Sequence, residues 1–207
     1  SRPVNLGSPL NTPSDEGVDT FSVDEKTIYM TAYDRPGGIG KNDIWVSTIG
    51  EDGKWEEPKN LGPPINTKHN DANASLSSDG KQLFFCSDRP GGLGGYDIWV
   101  STLGDDGKWG EPKNLSFTVN TPDWEGNVFI RPDGMTLYLS SNGRGGYGGA
   151  DIFKSERDGE SWGIAENLGE DINTTDNDTY FTLPASGDLA YFNSSKLGGK
   201  GKNDIYT

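Results

Sequence analysis

Several residue types that carry chemistry in other proteins are nearly absent from this chain. It has one cysteine, Cys86, which excludes an intrachain disulfide. Cys86 lies in the apolar run LFFCS, which is typical of a buried thiol, because a nucleophilic cysteine needs an activating partner. No apolar run approaches the ~20 residues that a membrane-spanning helix needs, so the sequence predicts no membrane span.

Histidine is equally scarce, which limits the catalytic sites that the chain can build. The single histidine, His69, is followed by Asn70 and Asp71, and no nucleophile elbow accompanies it. The glycine-rich strings precede strand patterns rather than helices, so they do not resemble phosphate-binding loops. We therefore expect that the protein is not an enzyme and requires no cofactor.

Positive charge is also in short supply. The chain has 18 Lys and Arg and 32 Asp and Glu, which gives a formal net charge of −14. Such a surface repels a phosphate backbone, so the charge argues against nucleic acid as a partner and favours cations or basic partners. Only 31% of the residues are hydrophobic while 11% are aromatic, so the core must rely on Trp, Tyr and Phe.

What the chain does have is an internal repeat. Related strings begin at four asparagines with spacings of 55, 54 and 53 residues: NLGSPLNT at Asn5, NLGPPINT at Asn60, NLSFTVNT at Asn114 and NLGEDINT at Asn167. A fixed period of this length is typical of propellers and solenoids. We divide a single domain, 1–207, into units at about 5–59, 60–113, 114–166 and 167–207, preceded by an N-terminal strand at 1–7.

Each of the first three units contains four short strand patterns separated by turns, and the fourth unit ends on its third strand pattern. In the second unit these are the strand before SSDGK, then QLFF, DIWVS and WGEPKNL, and the corresponding turn of the fourth unit is PASGD. Four antiparallel strands per repeat with Asp-Gly turns match one blade of a β-propeller. The sequence therefore predicts an all-β propeller of four blades, closed by the N-terminal strand completing the last blade. A larger ring, or a ring completed by associating chains, is the alternative.

A glycine-rich loop joins the second and third strands of every unit and ends at an aspartate. We expect these aspartates to accept hydrogen bonds from the N–H groups of the glycine loop and so fix its conformation, with cation binding as the alternative. They are Asp43, Asp97, Asp151 and Asp204.

A second set of carboxylates lies five residues after the last Asn of each repeated string. The set is Glu16, Asp71, Glu125 and Asp178. Because the first strand of each blade lines the channel of a propeller, these carboxylates are predicted to converge at its mouth, where oxygen ligands would suit Ca²⁺. Alternatively, they point to solvent or accept N–H groups of loops.

The face that carries the glycine loops is the predicted partner surface. Trp124 lies outside the repeated framework positions, beside the channel mouth, where an aromatic side chain can bind a sugar or a partner. The other candidate residues on this face are Arg35, Arg89, Arg144, Asn73, Asn127 and Tyr180.

The string SLSSDGKQLFFCSDRPGGLGGYDIWVS resembles the WD40-like propeller repeat of the TolB type. The resemblance spans essentially the whole chain, although propellers of this type usually have more blades. It implies a noncatalytic binding or scaffolding role in the bacterial envelope, and therefore a periplasmic or extracellular location.

Three hypotheses for function follow. The first is a protein-interaction or scaffolding propeller, which we expect to be a monomer. The second is a glycan-binding propeller that uses Trp124, and the third is a glycoside hydrolase that uses a pair of the convergent carboxylates.

Overall fold

A computed structural model of the chain describes residues 3–184, 187 and 189–207. Four antiparallel sheets form a ring, which is a four-bladed β-propeller. Part of the predicted PASGD turn and the first two residues of the predicted N-terminal strand lie outside the described residues.

The strands follow one another outward from the channel in each blade. Blade one contains β1 (Asp15–Phe21), β2 (Thr27–Tyr33), β3 (Asn42–Thr48) and β4 (Lys59–Asn60). Blade two contains β5 (Asp71–Leu76), β6 (Gln82–Ser87), β7 (Asp97–Thr102) and β8 (Lys113–Asn114). Blade three contains β9 (Glu125–Ile130), β10 (Thr136–Ser141), β11 (Asp151–Asp158), β12 (Ser161–Trp162) and β13 (Glu166–Asn167). Blade four contains β14 (Asp178–Thr182), β15 (Tyr191–Ser194) and β16 (Asp204–Tyr206).

Most of the hydrophobic core among the described residues lies between neighbouring blades. One cluster joins Ile44 of blade one to Leu83, Phe85 and Trp99 of blade two. A second joins Phe84 of blade two to residues of blade three. Since a single twisted sheet cannot bury both faces alone, each blade is stabilised by the next.

The outermost strands are short. β4 and β8 each pair with the third strand of their blade over only two residues. Pro58 and Pro112 precede these ladders, and a proline has no N–H to donate to a sheet. A single turn of helix, α1 (Ser116–Val119), follows β8. Within the described residues, no helix is long and apolar enough to cross a membrane.

Every innermost strand has an irregularity at the same place. The register shifts between Val18 and Thr20 in β1, and between Ala72 and Ser75 in β5. Corresponding shifts occur in β9 and β14. Asn73, Asn127 and Tyr180 at these bulges have left-handed backbone conformations, with φ of 53°, 51° and 56°. The bulge breaks the strand alternation that the sequence analysis assumed.

The ends of the chain do not pair as predicted. Blade four has three strands, and residues 3–14 contain no strand. The N-terminal segment instead packs against its own blade, where the Arg35 guanidinium donates to the carbonyl groups of Pro9 and Leu10 at 2.8 Å each. In the described residues, the fourth blade therefore lacks the outer strand that the N-terminus was expected to supply.

Candidate functional site

Two cavities lie along the central channel, and all four innermost strands line them. The wider one, of about 550 Å³, opens at the glycine-loop face and the narrower one, of about 230 Å³, lies beyond it. The two share Val18, Asp19, Asn73 and Tyr180, which stand at the bulges of three blades. The bulges therefore divide the channel and present side chains to both parts.

Asp19 is the carboxylate at the junction of the two cavities. Its Oδ2 accepts a hydrogen bond from Thr31 Oγ1 at 2.7 Å, and Thr31 Oγ1 accepts the Asn73 N–H at 2.9 Å. Burial raises the pKa of Asp19 from 3.8 to about 7, although hydrogen bonds from Thr31 and the Ala74 backbone act in the opposite direction. Near neutral pH, Asp19 is therefore poised between its neutral and charged forms.

The sequence analysis missed Asp19, although the sequence contains a signal for it. The equivalent positions in the other three units are the apolar residues Ala74, Val128 and Phe181. The repeated fold does not require an acidic residue at this position, because the other three units have an apolar residue there. Such a departure can be found by aligning the units with one another.

Aromatic side chains complete the wall of the wider cavity. Trp124, Tyr33, Tyr96 and Tyr180 line it together with Asn42 and Asn73. Trp124 also packs across Gly126, where an added Cβ would overlap the indole ring. Trp124 therefore packs against its own strand and also lines the wider cavity. Asn127, the remaining amide of the predicted face, lines the narrower cavity.

The four carboxylates predicted to converge instead point into the loops that precede their strands. In each blade, the carboxylate accepts the N–H and the hydroxyl of the threonine four residues before it. For Asp71 these distances are 2.7 and 2.9 Å, and for Glu125 they are 2.7 and 2.6 Å. For Asp178 they are 2.6 and 2.9 Å. Glu16 accepts from Thr12 in the same way, with N–H distances of 3.2 Å. We call these four contacts the loop locks.

The expected calcium site at the channel mouth loses its geometric basis for this reason. In the part of the chain that the structure describes, no group of three or more His, Cys, Asp or Glu side chains is placed to share a metal ion. The left-handed residue two positions after Asp71, Glu125 and Asp178 faces the channel in place of the carboxylate. Calcium binding itself remains an untested hypothesis.

Because these carboxylates already have hydrogen-bond donors, we expect chelation to leave the protein's melting temperature unchanged. The measurement is thermal unfolding in EDTA and then in excess Ca²⁺, with metal analysis of the purified protein. A midpoint that rises with Ca²⁺ in the wild type but not in Glu16→Gln would instead restore the metal hypothesis for this set.

The loop locks differ in strength. In blade two, the fully buried Asp71 also accepts from the buried Ser87 Oγ at 2.5 Å and forms an ion pair at 2.6 Å with Arg89, whose side chain is 9% exposed. In blade four, Lys196 occupies the position of Arg89 and lies over the Tyr206 ring, and Asp178 Oδ1 has no hydrogen-bond partner among the described residues. The lock of blade two is therefore the strongest and that of blade four the least satisfied.

The three arginines predicted for the partner face are used internally. Arg35 donates to Pro9 and Leu10, and Arg89 donates to the carbonyl groups of Pro64 and Ile65. Arg144 donates to the Thr118 carbonyl at 2.9 Å. Each guanidinium holds the segment that enters its own blade, so these side chains fix blade geometry rather than extend toward a partner.

The aspartates at the ends of the glycine loops have the geometry expected from the sequence. Asp43 accepts from the Ile39 N–H at 2.6 Å, and Asp97 from Leu93 at 2.9 Å. The other two pairs are Asp151 with Tyr147 at 2.8 Å and Asp204 with Lys200 at 2.7 Å. These carboxylates close their loops, as a short side chain can when it accepts nearby N–H groups.

Cys86 lies at the channel wall, but its thiol is expected to be unreactive. Burial raises the pKa of its thiol to about 12, so almost none of it is thiolate at neutral pH. This agrees with the buried thiol that the sequence analysis favoured.

Comparison with known proteins supports the fold class. Neither a protein-family profile nor a curated protein matches the chain. Among solved structures, TolB from Acinetobacter baumannii aligns with 93% of this chain and 40% of its own, at 17% identity and a TM-score of 0.63. A TolB of Agrobacterium tumefaciens, titled as putative, aligns with 91% of this chain and 73% of its own, at 20% identity and a TM-score of 0.52.

A third similar structure is an enzyme. The periplasmic gluconolactonase of Pseudomonas aeruginosa aligns with 90% of this chain and 55% of its own, at 15% identity and a TM-score of 0.51. The chain thus spans less than two thirds of both the Acinetobacter protein and the gluconolactonase. The chain has the fold of TolB-type β-propellers, as the sequence resemblance indicated. Because this fold supports both binding proteins and enzymes, function has to be argued from the channel.

Proposed function

We propose that the protein is a noncatalytic binding propeller that receives a cationic segment of a protein partner at the mouth of its channel. The observation that carries this proposal is the wider cavity, where Asp19 lies beneath a wall of aromatic rings. A carboxylate and aromatic faces are the groups that recognise an ammonium or a guanidinium.

Charge supports a basic partner. The whole chain carries a net charge of −14, and the side chains that line the wider cavity include three carboxylates and no lysine or arginine. Glu16 is already paired with Arg35, so Asp15 and Asp19 supply the negative charge. A basic segment would therefore be steered toward this face and would find its counter-charge inside the channel.

The contacts of the other acidic residues favour binding over hydrolysis. Asp71 and Glu125, two of the four carboxylates considered for glycoside hydrolysis, are both fully buried within the loop locks. A catalytic acid and base must reach a substrate, which these side chains do not. We therefore propose a noncatalytic role for the protein.

The names of the similar structures support a location in the bacterial envelope. Two of them are titled as TolB, and a third is titled as a periplasmic enzyme. Together with the sequence resemblance, these titles favour a periplasmic or envelope-associated scaffold. Export of the protein can be tested by fractionation of cells that express it from its own gene.

The binding proposal is tested with a short peptide that has one central lysine between neutral residues, and with a second peptide in which norleucine replaces the lysine. We expect only the lysine peptide to bind, as measured by calorimetry. Asp19→Asn should weaken binding about tenfold, and Trp124→Ala about three- to thirtyfold, because a desolvated cation–π contact contributes up to about 2 kcal/mol. Below a pH of about 7, where Asp19 becomes neutral, the wild-type affinity should fall toward that of Asp19→Asn.

The control variant is Asp105→Asn, which removes the same charge from an exposed turn between β7 and β8. It should leave the affinity and its pH dependence unchanged. Equal binding of both peptides, or equal losses in Asp19→Asn and Asp105→Asn, would contradict a specific cation site.

Glycan binding is the second candidate because the same aromatic rings and amides can stack on and hydrogen-bond to a sugar. A glycan array with the wild type and Trp124→Ala separates the two candidates. Sugar binding that is lost in Trp124→Ala and insensitive to Asp19→Asn would replace the cationic partner with a glycan.

A further inference from the structure

A further cavity lies outside the channel, between the outer strands of blade two and the β11–β12 turn of blade three. Its volume is about 650 Å³, which is within the range of sites for small ligands. β6 and β7 line it on the side of blade two, and residues 157 and 159–162 line it on the side of blade three. Residues 113–118, which connect the two blades, complete the lining. We call it the groove cavity, and it shares no lining residue with the two channel cavities.

Arg157 is the charged residue of this cavity that departs from the repeat. It pairs with Trp162 across β11 and β12, and the residues that pair with the equivalent tryptophans of blades one and two are Ile49 and Leu103. The position is therefore apolar in the first two units. The repeated fold does not require a positive charge there, so Arg157 calls for another explanation.

The Arg157 guanidinium is held in place without a counter-charge. Its Nη2 donates to Gln82 Oε1 at 3.0 Å, and its central carbon lies 5.1 Å from the centroid of the Trp162 ring. Its Nε is buried and has no hydrogen-bond acceptor, and no ion pair among the described residues includes Arg157. Since a guanidinium has five N–H donors and binds a carboxylate through two of them, Arg157 has donors left for an anionic ligand.

The segment that connects blades two and three departs from the repeat at the same cavity. Ser116 has a φ of 59°, and the other three units have glycine at this position: Gly7, Gly62 and Gly169, with φ of 66°, 67° and 85°. This left-handed conformation disfavours a residue with a Cβ, so the fold alone does not favour serine there. The next residue, Phe117, is 74% exposed and also lines the cavity. The two departures bring a hydroxyl group and an exposed aromatic ring to the side of Arg157.

The charge of the groove cavity is opposite in sign to that of the chain. Arg157 and Lys113 supply two positive charges, and Glu160 is the only acidic residue among the described residues that line the cavity. The chain as a whole has a net charge of −14, which disfavours loose binding of anions to its surface. A cationic cavity on such a protein therefore indicates a specific contact with an anionic group.

Uncharged polar side chains supply much of the remaining lining. Thr102, Ser116 and Ser161 are exposed and bring hydroxyl groups, and Gln82 and Asn114 bring amides. Hydroxyl and amide groups can both donate to and accept from the hydroxyl groups of a sugar, and an exposed aromatic ring such as that of Phe117 can pack against a sugar ring. The lining therefore suits a sugar that carries a carboxylate.

An extended acidic peptide fits this cavity less well. Such a peptide binds mainly through backbone hydrogen bonds to the edge of a sheet. The edge beside the cavity is β8, which forms a ladder of only two residues, and Pro112 before it has no N–H to donate.

We propose that the groove cavity binds an acidic sugar, with the Arg157 guanidinium on the sugar carboxylate and the Phe117 ring against the sugar ring. The hydroxyl groups of the lining then bind the hydroxyl groups of the sugar. This site does not depend on the proposed cationic ligand of the channel, and it does not use Trp124.

The test is a glycan array on which oligosaccharides that end in glucuronate, galacturonate or sialate each stand beside the same oligosaccharide with its carboxylate reduced to an alcohol. We expect the wild type to bind a carboxylate form about tenfold or more tightly than its alcohol, because a hydrogen bond to a charged group contributes this much. Arg157→Leu, which introduces the residue type of the equivalent position in blade two, should fold and lose this preference. Phe117→Ala, at an exposed position, should weaken binding about three- to tenfold.

Arg131→Leu is the matched control, because it removes the same charge from the turn between β9 and β10, where the Arg131 side chain is 45% exposed. It should bind as the wild type does. Trp124→Ala should also bind as the wild type does, since Trp124 lines the channel and not the groove cavity. Thermal unfolding of each variant verifies that it is folded.

Several results would overturn the proposal. They are an array on which no carboxylate form is bound, equal binding of the carboxylate and alcohol forms, and binding that is unchanged in both Arg157→Leu and Phe117→Ala. Equal losses in Arg157→Leu and Arg131→Leu would mean that only the overall charge matters. Binding that is lost in Trp124→Ala and kept in Arg157→Leu would place the sugar in the channel. If an array of acidic peptides, screened in parallel, gives the only binding and Arg157→Leu abolishes it, the ligand is an acidic peptide and the sugar assignment is wrong.

Discussion

Replacing Asp71 with alanine is expected to lower the free energy of unfolding by about 3–5 kcal/mol, the range seen when one partner of a buried ion pair is removed. The substitution leaves the Arg89 guanidinium, which is largely shielded from solvent, without its counter-charge and removes the acceptor of the Thr67 and Ser87 hydroxyl groups. Urea unfolding followed by tryptophan fluorescence measures the effect. The loss should be the same in EDTA and in Ca²⁺, because the carboxylate acts on the protein's own groups.

Asp178→Ala is the matched control, since Asp178 forms the same threonine contacts without an arginine partner. We expect a smaller loss, about 1–3 kcal/mol, which is typical for the loss of buried hydrogen bonds. If the two variants lose the same stability, neither the ion pair with Arg89 nor the hydrogen bond from Ser87 adds to the lock. If the loss in Asp71→Ala appears only with Ca²⁺ present, the carboxylate serves a metal and the loop-lock interpretation is wrong.

Gly148→Ala is expected to destabilise the protein by about 3 kcal/mol, the upper part of the range for overpacking. The added methyl group would overlap the backbone carbonyl of Asp176, and a backbone atom of this segment between β13 and β14 cannot move aside as a flexible side chain can. Chemical unfolding in dilute solution, where association does not contribute, measures this change.

Gly201→Ala is the same substitution at the equivalent position of the fourth glycine loop. Because an added Cβ on Gly201 would meet no atom closer than 3.7 Å, the free energy of unfolding of this variant should differ from that of the wild type by less than about 0.5 kcal/mol. Similar losses in Gly148→Ala and Gly201→Ala would contradict the structure, because they would mean that Gly201 is packed as closely as Gly148.

The repeated part of the architecture could be predicted from the sequence because it depends on local patterns. The four units, their turns and the carboxylates that close the glycine loops recur with nearly constant spacing, so each unit supports the prediction for the others. Asp43 and its equivalents could be assigned from their position at the end of a flexible loop.

The parts that could not be predicted depend on backbone geometry beyond the local pattern. A bulge at Asn73 turns the amide into the channel and leaves Asp71 in its loop, whereas simple alternation would have placed both on one side. The packing of Arg35 onto the Pro9 and Leu10 carbonyl groups joins residues that lie 26 and 25 positions apart, which no pattern within a single strand or turn relates. Closure of the ring depends on the rotation between neighbouring blades summed over all the blades, so it cannot be inferred from one unit.

The account rests on Asp19 as the counter-charge for a cationic group, and its titration by NMR tests this claim most directly. The protein is labelled at aspartate carboxyl carbons, and Asp19→Asn identifies the signal. We predict that Asp19 titrates near pH 7 in the protein alone, because burial disfavours its charge, and at a lower pH when the lysine peptide is bound. A signal that titrates near pH 4, or one that the peptide does not shift, would contradict the account.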